Sequence, residues 1–104
     1  MLKPIYPVHV IGSSNADLVL QVDRMPKLGE TVLGNSFSIV SGGKGANQAV
    51  AAAKAGGKVR FASSIGADAF GDLLISSLAQ QEVNCDLVST CEGMPTGVAT
   101  VQVN

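Results

Sequence analysis

The stretch SGGKGANQAV, Ser41 to Val50, decides how the chain is read. Glycines crowd around Lys44, and an alanine-rich run follows directly. Ala46, Ala49, Val50 and Ala53 recur at i, i+3, i+4 and i+7, which predicts a helix over Gly45–Ala55 with a narrow apolar face. Side chains this small let the helix lie close on a sheet, and Gly56-Gly57 stops it. A glycine turn that opens a helix offers free backbone N–H groups, an electropositive nest for oxygen acceptors. Nucleotide phosphate is the obvious candidate, and the sequence argues against it. A P-loop needs GxxxxGK followed by Ser or Thr, but Gly45 follows Lys44. A dinucleotide loop needs GxGxxG, but Gln48 occupies the last glycine's place. The nest, the Lys44 ammonium and the Asn47 amide suit a hydroxyl-rich ligand better. The plain alternative is a tight strand-to-helix turn with a solvated lysine.

Outward from this loop, short apolar runs alternate with helical periodicity. Val8–Gly12 and Leu18–Val22 read as strands, and Asp23–Gly29, with its Pro and Gly, as a loop. Glu30–Leu33 and Ser36–Val40 flank Gly34-Asn35, which predicts a hairpin. Val59–Ser63 reads as the next strand. Asp68 is placed to cap a helix over Ala69–Gln81, with Phe70, Leu73, Leu74 and Leu78 on one face. Asp86–Ser89 and Gly97–Val103 complete the strands. The alternation predicts an α/β sheet with parallel pairs. The hairpin and the last strand fall outside it and suggest a second, smaller sheet. The chain stops on a strand at Val103-Asn104, where a natural domain rarely ends. The expectation is therefore the N-terminal portion of a longer protein.

Composition narrows the function. The chain has 104 residues and a formal charge of −1, so no basic footprint points to nucleic acid. No apolar run reaches the ~18–20 residues that span a bilayer, and the N-terminus lacks a signal-peptide core. The expectation is a soluble, cytoplasmic protein with no membrane partner. Cys85 and Cys91 lack CxxC spacing and a nearby histidine, so they read as free, largely buried thiols rather than a zinc site. The sole histidine, His9, lies in a strand and reads as a packed or edge residue.

A second polar cluster, GSSNADL (Gly12 to Leu18), follows the first strand. On an extended segment Asn15 and Asp17 project to the same side. An ionised Asp carries only acceptors and can take two hydroxyl protons at once, which matches vicinal sugar hydroxyls. The alternative is an ordinary Asn/Asp turn. Ligands bind at the carboxyl ends of strands in open α/β sheets, and two such ends carry polar groups here.

At these residues the chain resembles the ribokinase family of ATP-dependent sugar kinases. Gly42, Gly43, Gly45, Asn47, Ala49, Gly56 and Gly66 fall on the spacing of that family's first signature. NAD, GETVLGN, GGKGANQAVAAAKAG, IGADAFGD and TGVATVQVN occur in the family's order, so the likeness covers the whole chain. It implies part of a three-layer α/β/α domain with a small β-sheet lid, its strands within about residues 18–40 and 97–103. It implies that Asn15, Ala16 and Asp17 hold a sugar, D-ribose, with Gly43, Lys44, Gly45, Ala46 and Asn47 closing from the helix start. Ala99 and Val101 are candidates to pack on the sugar, and lids would pair in a homodimer. The family's catalytic aspartate, ATP pocket, magnesium-associated motif and potassium site lie later than these residues. The resemblance therefore implies Mg2+, ATP and a possible K+ bound outside residues 1–104, no catalytic residue within them, and no kinase activity in this segment alone. The alternatives are a kinase for deoxyribose, fructose or a nucleoside, a non-catalytic fragment that binds sugar or pairs lids, and an α/β fragment without ligand.

Overall fold

The computed structural model describes residues 5–104. In chain order the elements are β1 (Val8–Ile11), β2 (Asn15–Gln21), β3 (Ser36–Gly42), α1 (Lys44–Lys54), β4 (Val59–Gly66), α2 (Ala69–Gln80), β5 (Val83–Cys91) and β6 (Gly97–Val103). They form two sheets, a body ordered β1-β4-β5 and a lid ordered β3-β2-β6. All pairs in the body are parallel.

The body follows from residue alternation in β4. Val59, Phe61 and Ile65 are buried on one side, while Ser64 is exposed on the other. Ala46 and Ala49 of α1, Leu78 of α2 and Val83 of β5 close over Val59 and Phe61, with Val8 and Val10 packed at the margin. Phe61 is wholly buried at the centre, a burial that stabilises by about 2–3 kcal/mol. Right-handed crossovers explain the layering. The chain steps β1 to β4 to β5 in one direction, so α1 and α2 lie on the same face. The opposite face, with His9, Ile11, Ala62, Ser64 and Leu87, carries no helix among the described residues. Ile11 there is 84% exposed and Leu87 50%. The chain holds one helical layer of the expected three-layer arrangement.

Asp68 caps α2 as predicted, its Oδ1 accepting from Gly71 N at 2.8 Å. The apolar stripe of α2 runs through Gly71, Leu74 and Leu78. Leu73, expected on that stripe, is instead 38% exposed. It sits a ~100° step around the helix from Leu74 and falls outside the narrow face that meets the sheet. Cys85 and Cys91 are free thiols, half-buried rather than largely buried. Burial, aided by the neighbouring Asp86 charge, pushes the Cys85 thiol above its ordinary value.

The predicted hairpin is the main correction. Residues 30–33 form no strand, and β3 instead pairs antiparallel with β2, from Gln21↔Ser36 to Asn15↔Gly42. Local bonds explain this. Asn35 N donates to Gln21 O at 2.7 Å and Asn35 Nδ2 to Asp23 Oδ1 at 2.8 Å, closing β3 onto β2. The Glu30 carboxylate is engaged by Arg24 at 2.5 and 2.9 Å and by Lys27 N at 3.0 Å, which folds 24–30 into its own loop. The other edge of β2 is taken by β6, in parallel from Asn15↔Gly97 to Gln21↔Val103. Gly97–Val103 is a strand as predicted. The strands expected at Leu18 and Asp86 both begin earlier, at Asn15 and Val83.

Candidate functional site

The site grows from the base of the lid, where three chain crossings join the two sheets. Residues 12–14 lead from β1 into β2, Gly42-Gly43 from β3 into α1, and residues 92–96 from β5 into β6. The first two crossings interlock through backbone alone. A Cβ on Gly45 would stand 2.7 Å from the Cα and carbonyl carbon of Gly12. A Cβ on Gly43 would stand 2.6 Å from Ser13 O, and Gly43 has φ +99°, a conformation glycine adopts without strain. One bond ties the seam, Ala46 N donating to Ser13 O at 3.0 Å. The glycines of GGKG thus let a helix start press against the β1–β2 turn.

Asn15 and Asp17 extend from this seam on the first turn of lid strand. Asn15 Nδ2 donates to Asp17 Oδ1 at 2.6 Å, so the pair does project together. The strand register places Gly42 opposite Asn15 and Val40 opposite Asp17, with Gly97 and Ala99 on the β6 side. A Cβ on Gly42 would stand 2.6 Å from Asp17 Cγ and Oδ1, so glycine here makes room for the carboxylate. Both side chains are only half-buried. Asp17 keeps acceptor capacity for further donors. Ala99 and Val101 share this face of the lid by register with Asp17 and Val19.

The remaining predicted residues divide. Ala16, Gly45 and Ala46 are buried, with Ala16 and Ala46 in the core. They set the close packing under the site. Lys44 and Asn47 are exposed on the first turn of α1. Asn47 N donates to Gly43 O at 2.9 Å, and its side chain borders a shallow depression with Ser41, Val50, Ser77 and Gln81. Among the described residues no hydrogen bond joins the Lys44 or Asn47 side chain to the Asn15–Asp17 pair. Gly43 caps α1 without a side-chain bond, although Ala46 N of the first turn is already taken by Ser13 O.

One feature escaped the sequence reading. The carboxyl ends of β1 and β4 line an open groove of about 530 Å³ that continues the uncovered sheet face of Ile11, Ala62 and Leu87 and is edged by Ser13, Ser14, Ser63 and Ser64. Ser14 is 8% exposed and its buried hydroxyl has no partner. The signal was present in the serines that end both strands, but runs of serine also mark ordinary loops.

The sequence pattern of pfkB family carbohydrate kinases matches residues 7–104. The chain belongs to the pfkB carbohydrate kinase family. It is 46% identical over 94 residues to a ribokinase of Haemophilus influenzae, covering 90% of this chain and 31% of that protein. It is 43% identical over 97 residues to a deoxyribokinase of Salmonella typhi, covering 93% of this chain and 32% of that protein. The structure superposes with TM-score 0.84 on an Arabidopsis thaliana ribokinase complexed with ribose and ATP, at 38% identity, covering 93% of this chain and 32% of that one. The chain spans about a third of the length of the pfkB relatives it matches. The ribokinase-like α/β fold with a small β-sheet lid agrees with the expectation from sequence.

Proposed function

We propose that this chain is the sugar-recognising segment of an ATP-dependent pfkB kinase that phosphorylates the 5-hydroxyl of D-ribose. The observation that carries the reading is the Asn15–Asp17 pair, held at 2.6 Å on a lid strand, with Gly42 leaving room for the Asp17 carboxylate. A carboxylate oriented by one amide still accepts from sugar hydroxyls, and the adjacent amide still offers acceptor and donor. Phosphoryl transfer of this kind is mostly positioning. Asn15 and Asp17 orient the sugar, the α1 start with Lys44 and Asn47 approaches it, and the lid excludes water. Ala99 and Val101 supply an apolar surface beside Asp17.

ATP, magnesium, any potassium ion and the general base are assigned to the rest of the kinase. Among the described residues no three His, Cys, Asp or Glu side chains converge, so the donors here do not fit a metal site. Likewise, 104 residues alone are expected to show no kinase activity. Homodimerisation through lids is part of the proposal, supported by Phe37 and Val98, which the lid exposes on the face opposite Asp17. Among the described residues no helix is long and apolar enough to cross a membrane.

Deoxyribose is the second reading, favoured by the deoxyribokinase relative at 43% identity. Turnover of ribose and 2-deoxyribose by the full-length enzyme separates them. Higher kcat/KM for ribose is expected, and a preference for deoxyribose refutes the first reading.

A further inference from the structure

The third crossing into the lid shares the close glycine approach of the other two, here Gly66 against residues 94–96, and adds a side-chain clamp. Thr96, just before β6, is 3% exposed. Its hydroxyl donates to Asp68 Oδ1 at 2.6 Å and accepts from Gly66 N at 2.9 Å. Its amide donates to Asp68 Oδ2 at 2.9 Å. Asp68 Oδ1 also takes Gly71 N at 2.8 Å. Both carboxylate oxygens are thus engaged, and one threonine is joined to the end of β4 and the start of α2. Helix capping explains only the Gly71 bond, which a serine would supply equally. The second oxygen and the Thr96 bonds serve another purpose. The socket is tight as well, since a Cβ on Gly71 would stand 3.1 Å from Thr96 Oγ1.

We propose that Asp68 is a positioning residue, latching Thr96 to the body so that β6 holds its register against Asn15 and Asp17. The next residue, Gly97, pairs with Asn15, and Ala99 pairs with Asp17. A Cβ on Gly97 would stand 3.4 Å from Asn15 Cβ, so a small shift of the β6 start reaches the candidate sugar ligands. All three crossings rest on glycine backbones, Gly66 meeting Met94 O and Thr96 N in the third, and only the third adds a charge-assisted clamp. The Thr96 and Gly71 bonds also hold the Asp68 carboxyl below its ordinary value, as expected of a carboxylate saturated with donors. The effect on catalysis rests on the kinase reading above, whereas the effect on the lid does not.

The test compares full-length Thr96→Val, which keeps the side-chain shape, with Thr96→Ser, which keeps the hydroxyl. Loss of a bond to a charged group predicts a sugar KM raised about tenfold in Thr96→Val, with ATP KM within about twofold. Thr96→Ser should restore the wild-type sugar KM. An unchanged sugar KM in Thr96→Val overturns the proposal, since a merely stabilising bond would move thermal stability alone. Should the wild type phosphorylate no sugar, the kinase reading fails and hydrogen exchange decides the latch. Faster exchange of the Gly97–Val103 amides in Thr96→Val, relative to Val59–Gly66 in the same sample, supports it, and equal ratios overturn it. Should Thr96→Val fail to fold, Asp68→Asn is measured in its place by the same two readouts.

Discussion

Gly45→Ala tests whether the glycines of the lid base are chosen for close approach. Position 45 lies inside α1, where alanine is the better helix former by about 1 kcal/mol. Propensity alone therefore predicts a more stable protein. Packing predicts the opposite. The added Cβ would stand 2.7 Å from the Cα and carbonyl carbon of Gly12 and 2.8 Å from Ser13 N. Ordinary contacts begin near 3.4 Å, and all three atoms are backbone that cannot rotate away. Forced separation of packed elements costs about 1–3 kcal/mol, and relief here must pull the β1–β2 turn off α1, breaking the Ala46–Ser13 bond. The clash wins, with a net loss of about 1–2 kcal/mol. For a domain of this size that lowers Tm by about 5–10 °C. Urea titration followed by circular dichroism gives the same quantity from the midpoint at constant m. Gly56→Ala is the control: it has φ +96° and no heavy atom within 4 Å, so strain acts without a clash. A Gly45→Ala protein as stable as the wild type, or more stable, would refute the close-approach reasoning.

Three further outcomes are expected. Asp17→Ala removes a carboxylate with acceptor capacity for two hydroxyls and should weaken ribose binding by the full-length protein roughly 100-fold; calorimetry showing unchanged affinity sinks the assignment. Because the folded Asp68 carboxyl sits below its ordinary value near 3.8, its stabilising contribution is complete above that pH and is lost as pH falls through the folded value. The stability gap between wild type and Asp68→Asn should therefore begin to close as pH falls below about 3.8 and vanish only below the folded value, and a constant gap across the acid range contradicts the clamp. Glu82 ends α2 at φ +63°, a left-handed conformation that favours glycine, with its charge at the negative end of the helix. Glu82→Gly should raise stability by about 1 kcal/mol, read as a Tm several degrees higher.

Much of the body was legible because its cues are local. Ala46, Ala49 and Val50 announce α1, Asp68 announces the cap of α2, and the apolar residues of β4 announce a buried strand. The Asn15–Asp17 pair was legible too, since extended geometry alone puts alternate residues on one side. The hairpin at Gly34-Asn35 was misread for a reason of competition. Turn propensity at those residues is genuine, but β2 offers a longer partner for Ser36–Gly42, and Asn35 bonds to Gln21 and Asp23 instead. No local pattern reveals that preference, because it depends on residues far away in sequence. The Asp68–Thr96 clamp was half visible for the same reason: the cap is a local event, and its partner lies on the far side of α2 and β5. Leu73 shows the limit of counting apolar residues, since a stripe through Gly71 leaves a neighbouring leucine outside.

The uncovered face of the body sheet separates two kinds of tolerance to mutation. His9, Ile11, Ala62, Ser64 and Leu87 do not meet α1 or α2, so replacing them with polar residues of similar size leaves the internal packing of the segment intact. Whatever comes to lie on that face in the full protein will read those same substitutions directly. A saturation library scored once for folding of the 104-residue chain and once for the proposed sugar phosphorylation by the full-length protein should therefore agree at Phe61 and Leu78 and diverge at Ile11 and Leu87. The positions of divergence would draw the footprint of the neighbouring layer without a structure of it.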